Sequence, residues 1–228
     1  MFGSAAHARP VLPTLGQLVA ANPGGRLVRG DPATPVAGIC YNSRRLEPHD
    51  LFVAVPGRTH DGHQFVAEAV ARGASAVVAE RMPAGAALGL HESVPLVLVP
   101  SARAALADLA GAFYGHPSRR LRLVGVTGTD GKTTTTHLVD AILEARGLRT
   151  GRLSTIETKI DGFARSNPTG HTTPEAPLVQ RTLAEMVAVG VEAATLETSS
   201  HALSLDQVRG CAFDVAVFTN LSPEHLNF

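Results

Sequence analysis

Val124-Gly125-Val126-Thr127-Gly128-Thr129-Asp130-Gly131-Lys132-Thr133-Thr134 decides how this chain is read. An apolar run feeds a glycine-rich turn, and the turn opens onto helical spacing over residues 132–146, closed by Gly147. Gly128 and Gly131 permit backbone conformations that aim successive N–H groups inward, and with the helix N-terminus these form a concave anion site. Lys132 stands where an ammonium reaches terminal phosphates, and the Thr133 hydroxyl suits a Mg²⁺ ion. The pattern is a shorter variant of the usual phosphate loop, because Val126 stands where that loop begins with glycine. Residues 128–134 are therefore the expected ATP contacts.

The rest of the chain fits an ordinary globular protein of 228 residues, 44% hydrophobic and 18% charged. Twenty basic residues balance twenty acidic ones, so there is no bulk positive field for nucleic acid or an anionic membrane. Aromatics are 4% and tryptophan is absent, which argues against a stacking platform for single strands. The start lacks a signal-peptide core and no apolar run approaches a bilayer span, so a cytoplasmic location is expected. Cys40 and Cys211 lie far apart in apolar runs and read as reduced, buried thiols.

Upstream of the loop, spacing predicts a helix over 14–21, with Leu15, Leu18 and Val19 on one face and Thr14 as its cap. Strand-like runs at 36–41 and 51–55 follow, then a helix over 63–72 ended by Gly73. Apolar strands are expected at 75–79 and 95–99, and Ser101 caps a helix reaching Tyr114. Gly115-His116-Pro117-Ser118 breaks that helix, which places the expected domain boundary between residues 1–117 and 118–228. Downstream, strands at 121–127, 192–197 and 213–219 alternate with helices over 132–146 and 174–189, the latter capped by Thr173 with Pro174 in its first turn. The fold class is α/β, with a parallel sheet and ligands at its carboxyl ends. Leu226-Asn227-Phe228 closes the sequence without a polar tail, which reads as an incomplete second domain.

The loop resembles the ATP loop of the Mur ligases, and among them most closely the MurE type. Three further blocks carry the resemblance. Tyr41-Asn42-Ser43-Arg44-Arg45, Asp50-Leu51-Phe52-Val53-Ala54, Pro56-Gly57 and Asp61-Gly62-His63 are similar to the amino-terminal domain that binds the UDP of the precursor. His171-Thr172-Thr173-Pro174-Glu175 resembles the segment that contacts the muramoyl-dipeptide. Leu196-Glu197-Thr198-Ser199-Ser200-His201 and Phe218-Thr219-Asn220-Leu221-Ser222-Pro223-Glu224-His225-Leu226 are similar to two further family blocks.

The resemblance implies a small UDP-binding α/β domain followed by a P-loop-type central domain. It implies an ATP- and Mg²⁺-dependent amide ligase that adds the third amino acid, diaminopimelate before lysine, to UDP-N-acetylmuramoyl-L-alanyl-D-glutamate through an acyl phosphate. Lys132, Glu197 and His225 carry the chemistry, and Thr133, Glu197 and His225 hold metal. Tyr41, Ser43, Arg58, Thr59 and His60 line the uridine site. His171, Thr172, Thr173, Ser199, Gln207 and Arg209 meet the muramoyl-dipeptide. A monomer is expected, and the chain by itself is expected to bind precursor without completing ligation. A MurF- or folylpolyglutamate-type ligase and a non-catalytic nucleotide-binding module are the competing readings.

Overall fold

A computed structural model describes residues 12–57, 59–82, 94–167 and 169–223. It forms two compact units, one running through Pro100 and the other from Ser101.

In the first unit, helix α1 (Leu15–Ala20) opens on a reciprocal cap. The Gln17 N–H donates to Thr14 Oγ1 at 3.3 Å, and Gln17 Oε1 accepts from the Thr14 N–H at 2.8 Å. Strands β1 (Arg26–Arg29), β2 (Gly38–Cys40) and β3 (Asp50–Val53) follow, then helix α2 (Val66–Ala71), β4 (Ala76–Ala79) and β5 (Leu96–Leu98). The sheet order is β1-β5-β4-β3-β2, with β2 to β5 parallel and β1 antiparallel at the edge. The helix expected over 63–72 begins as a 3₁₀ turn, Gly62–Phe65, because the Asp61 carboxylate caps the His63 N–H. Gly73 ends it at φ 92°. Phe52, Val77 and Leu96 pack with Leu46, Val66 and Ala69 as the core. Fully burying Phe52 alone contributes about 2–3 kcal/mol.

The second unit begins with helix α3 (Ala102–Phe113), capped by Ser101 Oγ accepting from the Ala104 N–H at 3.2 Å. It continues through β6 (Arg122–Thr127), α4 (Lys132–Ala145), β7 (Thr150–Leu153), β8 (Glu157–Ile160) and β9 (Phe163–Ser166). Helix α5 (Ala176–Ala188), β10 (Ala193–Glu197), α6 (Ser200–Ser204) and β11 (Val215–Phe218) complete it. Strand order is β11-β6-β10-β7-β8-β9; the first four run parallel and β7-β8-β9 form an antiparallel meander. Because α3 packs on α5, compaction divides the chain ahead of the Gly115–Pro117 break, where His116 adopts φ 50°.

Two expectations are corrected. Helix α5 starts at Ala176 with Glu175 in the capping position, and Thr173 is not its cap. The strands at 26–29, 150–153, 157–160 and 163–166 are additional.

The two faces of this sheet differ in chemistry. Leu123, Leu153, Ala194 and Leu196 meet Val179, Leu183 and Met186 of α5 in an apolar core. On the opposite face, the buried residues of α4 are Thr136 and Asp140, and the sheet offers Thr150, Arg152, Thr195 and Glu197, all buried.

Candidate nucleotide and metal site

Strands β6 and β10 are adjacent and parallel, with Glu197 opposite Val126. Their carboxyl ends therefore bring Glu197 beside the turn that leaves β6. Gly128 adopts φ 135° and Gly131 φ 79°, the latter immediately before Lys132 opens α4. A Cβ on Gly128 would lie 2.1 Å from Thr219 Oγ1, whereas one on Gly131 would meet nothing within 4 Å. Gly128 is thus glycine for packing and Gly131 for conformation and open space.

The segment after β11 braces the turn. The Thr129 N–H donates to Asn220 O at 3.0 Å, and the Asp130 N–H donates to Asn220 Oδ1 at 2.9 Å. Thr219 Oγ1 donates to Asp130 O at 2.7 Å, and the Ser222 N–H donates to Thr129 Oγ1 at 2.9 Å. Lys132 folds back, its Nζ donating to Gly128 O at 2.8 Å and Thr129 O at 2.7 Å. The ammonium is therefore held over the loop where an arriving anion would meet it.

Glu197 is 1% exposed. Its Oε1 accepts from Thr133 Oγ1 and Thr155 Oγ1, each at 2.9 Å, and its Oε2 accepts from the Thr155 N–H at 2.9 Å. Neutral donors leave the carboxylate its full negative charge, and the two hydroxyl oxygens keep lone pairs for a cation. Thr129, Asp130, Gly131, Lys132, Thr133, Thr134, Thr155, Thr172 and Glu197 line one open cleft of about 300 Å³. Among the described residues, no set of three or more His, Cys, Asp or Glu side chains converges on a metal position. The donors present are carboxylate and hydroxyl oxygens, which suit a hard Mg²⁺ that keeps water and phosphate oxygens as its other ligands.

Thr155 is the site residue that sequence reasoning missed. It follows β7, and Ser154-Thr155-Ile156 carries no glycine and only one, isolated apolar residue; only the parallel pairing of β7 with β10 brings it to Glu197.

The other expected residues divide by surroundings. Thr172 lines the cleft. Thr173 is buried, its Oγ1 donating to Glu197 O at 2.9 Å and accepting from the Ser199 N–H at 3.0 Å. His171 is exposed on the preceding turn. Ser199 Oγ caps α6 by accepting from the Ala202 N–H at 3.1 Å. The Gln207 N–H donates to Ala202 O at 2.9 Å. Arg209 Nε donates to Asp108 Oδ1 at 2.9 Å, and that carboxylate raises its pKa.

In the first unit, Ser43 is buried with Oγ donating to Glu68 Oε2 at 3.0 Å. Tyr41, Thr59 and His60 are exposed, and the His60 ring meets Phe65 edge-on at 6.2 Å. His63 is buried between Asp61 and the Glu80 N–H, which donates to its Nε2 at 3.2 Å. Hydrogen bonds from the His63 backbone and ring, with Arg81, hold the Asp61 carboxyl down at about 2. Both cysteines are free; Cys40 is buried as expected, whereas Cys211 is only half-buried. Arg58 and His225 lie outside the described residues.

Known proteins resemble this chain in sequence and fold. The "Mur ligase family, catalytic domain" model matches residues 35–114, and the "Mur ligase middle domain" model matches residues 126–228. A UDP-N-acetylmuramyl-tripeptide synthetase of Deinococcus radiodurans is 54% identical over 86% of this chain and 39% of its own length. A UDP-N-acetylmuramoyl-L-alanyl-D-glutamate--2,6-diaminopimelate ligase of Geobacillus thermodenitrificans is 49% identical over 85% of this chain and 38% of its own. The chain thus spans well under half the length of these curated relatives. A solved structure of a ligase of that same diaminopimelate type superposes with TM-score 0.75 at 26% identity, covering 94% of this chain and 42% of that one. MurF from Thermotoga maritima, solved in complex with ADP, superposes with TM-score 0.57 at 29% identity, covering 83% of this chain and 38% of that one. With one model on each side of Ser118 and both describing the same enzymes, the chain belongs to the Mur ligase family.

Proposed function

We propose that this chain supplies the precursor-binding and ATP-binding parts of a MurE-type ligase. The reaction joins an amino acid, by preference meso-diaminopimelate, to the D-glutamate of UDP-N-acetylmuramoyl-L-alanyl-D-glutamate in peptidoglycan synthesis. The observation that carries the reading is Glu197, a buried carboxylate gripped by Thr133 and Thr155 beside the glycine turn and Lys132. The names of the relatives favour the MurE step, and ADP in the MurF structure favours a nucleotide at the turn.

The precursor carboxylate attacks the γ-phosphate of ATP, the bond to the β-phosphate breaks and ADP leaves. The resulting acyl phosphate is attacked by the incoming amine, which releases phosphate and a proton and forms the amide. Phosphoryl transfer of this kind depends on positioning and charge neutralisation. Mg²⁺, when bound, supplies countercharge to the phosphates. The loop N–H groups orient the phosphate chain, and Lys132 leaves the Gly128 and Thr129 carbonyls to follow the transferring group. Thr133 and Glu197 set the metal's place, with His225 as a further ligand. Thr172 offers a neutral hydroxyl to the precursor, and His171, Thr173, Ser199, Gln207 and Arg209 complete that side. Tyr41, Ser43, Arg58, Thr59 and His60 form the uridine site of the first domain, for which we take residues 1–117. Choice of amino acid is assigned to what the relatives carry beyond the matched region. A monomeric cytoplasmic enzyme is part of the same proposal; among the described residues no helix is long and apolar enough to cross a membrane.

Calorimetric titration tests the reading. Mg²⁺·ADP is expected to bind the chain, and Lys132→Ala to weaken it at least tenfold. Equal binding by both proteins overturns the loop assignment. Tighter binding of the UDP-muramoyl tripeptide than of the dipeptide replaces the MurE reading with MurF.

A further inference from the structure

The sheet face beneath α4 carries a cluster of charges that the proposed chemistry does not use. Asp140 of α4 is 1% exposed and meets two cations, Arg152 of β7 and Lys159 of β8, the latter through Oδ2 at 2.5 Å. Arg152 also meets Glu157 of β8, and Lys159 Nζ lies 2.9 Å from Glu144 Oε1, one turn further along α4. Arg152 and Lys159 are register partners across the β7–β8 pair. The cluster therefore ties both strands of one hairpin to one helix.

What the two ends of this assembly carry gives the cluster its meaning. Helix α4 begins with Lys132 and Thr133. The hairpin's connection holds Ser154 and Thr155, and Thr155 makes two of the three hydrogen bonds to the Glu197 carboxylate. Thr133 and Thr155 must meet the same carboxylate from separate elements, yet the buried residues of α4, Thr136 and Asp140, are polar rather than apolar. Apolar packing tolerates sliding by a fraction of an ångström, whereas paired charges at low exposure fix direction as well as distance.

We propose that Asp140, Arg152 and Lys159 are positioning residues that lock the β7–β8 hairpin to α4, so that Thr155 and Thr133 converge on Glu197. This rests on the nucleotide-site reading for its consequence in binding but not for its structural content. A second ion pair provides the control. Arg149 Nη2 and Asp161 Oδ2, 2.5 Å apart, close the opposite end of the same hairpin, are much more exposed, and do not involve α4.

Asp140→Asn is the direct test. It removes one charge while leaving Arg152 with Glu157 and Lys159 with Glu144. Hydrogen exchange of the Thr155 amide, taken relative to the Leu196 amide in the middle of the sheet, is expected to rise about tenfold. Affinity for Mn²⁺·ADP, read by calorimetry or by the manganese resonance signal, is expected to fall roughly tenfold, as when an outer partner of a metal ligand is lost. Lys159→Met, which keeps the Arg152 pair, is expected to move both readings the same way and carries the test if Asp140→Asn does not fold. Arg149→Ala is expected to move neither. An unchanged Thr155-to-Leu196 ratio in the folded variant overturns the proposal, as does an equal change in Arg149→Ala. If the unaltered protein takes up no Mn²⁺·ADP, the nucleotide reading fails while the exchange ratio still decides this one.

Discussion

Replacing each of the two loop glycines by alanine separates packing from binding. At Gly128 the backbone sits at φ 135°, and forcing a residue with a Cβ there costs about 1–3 kcal/mol. The new methyl would stand 2.1 Å from Thr219 Oγ1 and within 3.0 Å of Asn220 backbone atoms. The threonine hydroxyl must then leave Thr127 O and Asp130 O, to which it donates at 3.2 and 2.7 Å. Losing that hydroxyl's bonding adds about 1 kcal/mol. The sum is roughly 2–4 kcal/mol, which for a chain of this size lowers the melting temperature by about 5–15 °C. At Gly131 φ is 79° with nothing within 4 Å of the added methyl, so only the conformational cost of about 1 kcal/mol remains. Gly131 also lines the cleft, so its methyl intrudes where phosphate would lie. Calorimetric melting and ADP titration together read both effects. Gly128→Ala should melt far below Gly131→Ala, while Gly131→Ala should be nearly as stable as the parent but bind Mg²⁺·ADP at least tenfold more weakly. A Gly128→Ala protein melting within about 2 °C of the parent would refute the packing argument.

Glu197→Gln should fold normally, because the Thr133 and Thr155 hydroxyls can rotate to accept from the amide while its oxygen still accepts from the Thr155 N–H. Magnesium dependence of ADP binding should nevertheless vanish, and a retained dependence removes Glu197 from the metal site. The low pKa of Asp61, about 2, lies below its unfolded value, so its contribution is fully present above about pH 4 and disappears as pH falls toward 2. Urea titrations at pH 5 and pH 2.5 should show Asp61→Asn losing its disadvantage at the lower pH; an equal gap at both values contradicts the assignment. Burial pushes the Cys211 thiol up to about 12, against a smaller opposing effect of the Gln180 amide. A disulfide reagent at pH 8 should therefore leave it unmodified until the protein is unfolded, and rapid labelling of the native chain would show the thiol to be accessible.

The loop was legible because its signal is local: two glycines, a lysine and a flanking apolar strand within a few residues. Strands β4 and β6 were legible from nearly continuous apolar runs, and β10 from Ala193, Ala194 and Leu196, even though Thr195 and Glu197 face the polar side beneath α4. The meander β7-β8-β9 was not. Thr150-Gly151-Arg152-Leu153 and Glu157-Thr158-Lys159-Ile160 present charged residues to the buried face beneath α4, so the alternation that marks a half-buried strand is replaced by ion pairs. Thr155 was hidden for the same reason, since its role exists only once that meander is in place. Thr173 shows the opposite limit. A threonine before a proline reads as a helix cap, but its hydroxyl is claimed by the end of β10, and no local pattern records a partner so distant in sequence.

The brace on the glycine turn has a consequence for biosynthesis. Asn220 and Ser222 reach back across 90 and 93 positions of chain to hold Asp130 and Thr129. As the polypeptide leaves the ribosome, the turn and its helix emerge long before the residues that fix their shape, and the intervening α5 and β10 must dock first. Contacts of such separation form late. The nascent loop should therefore remain unshaped, and unable to retain nucleotide, until β11 has joined β6.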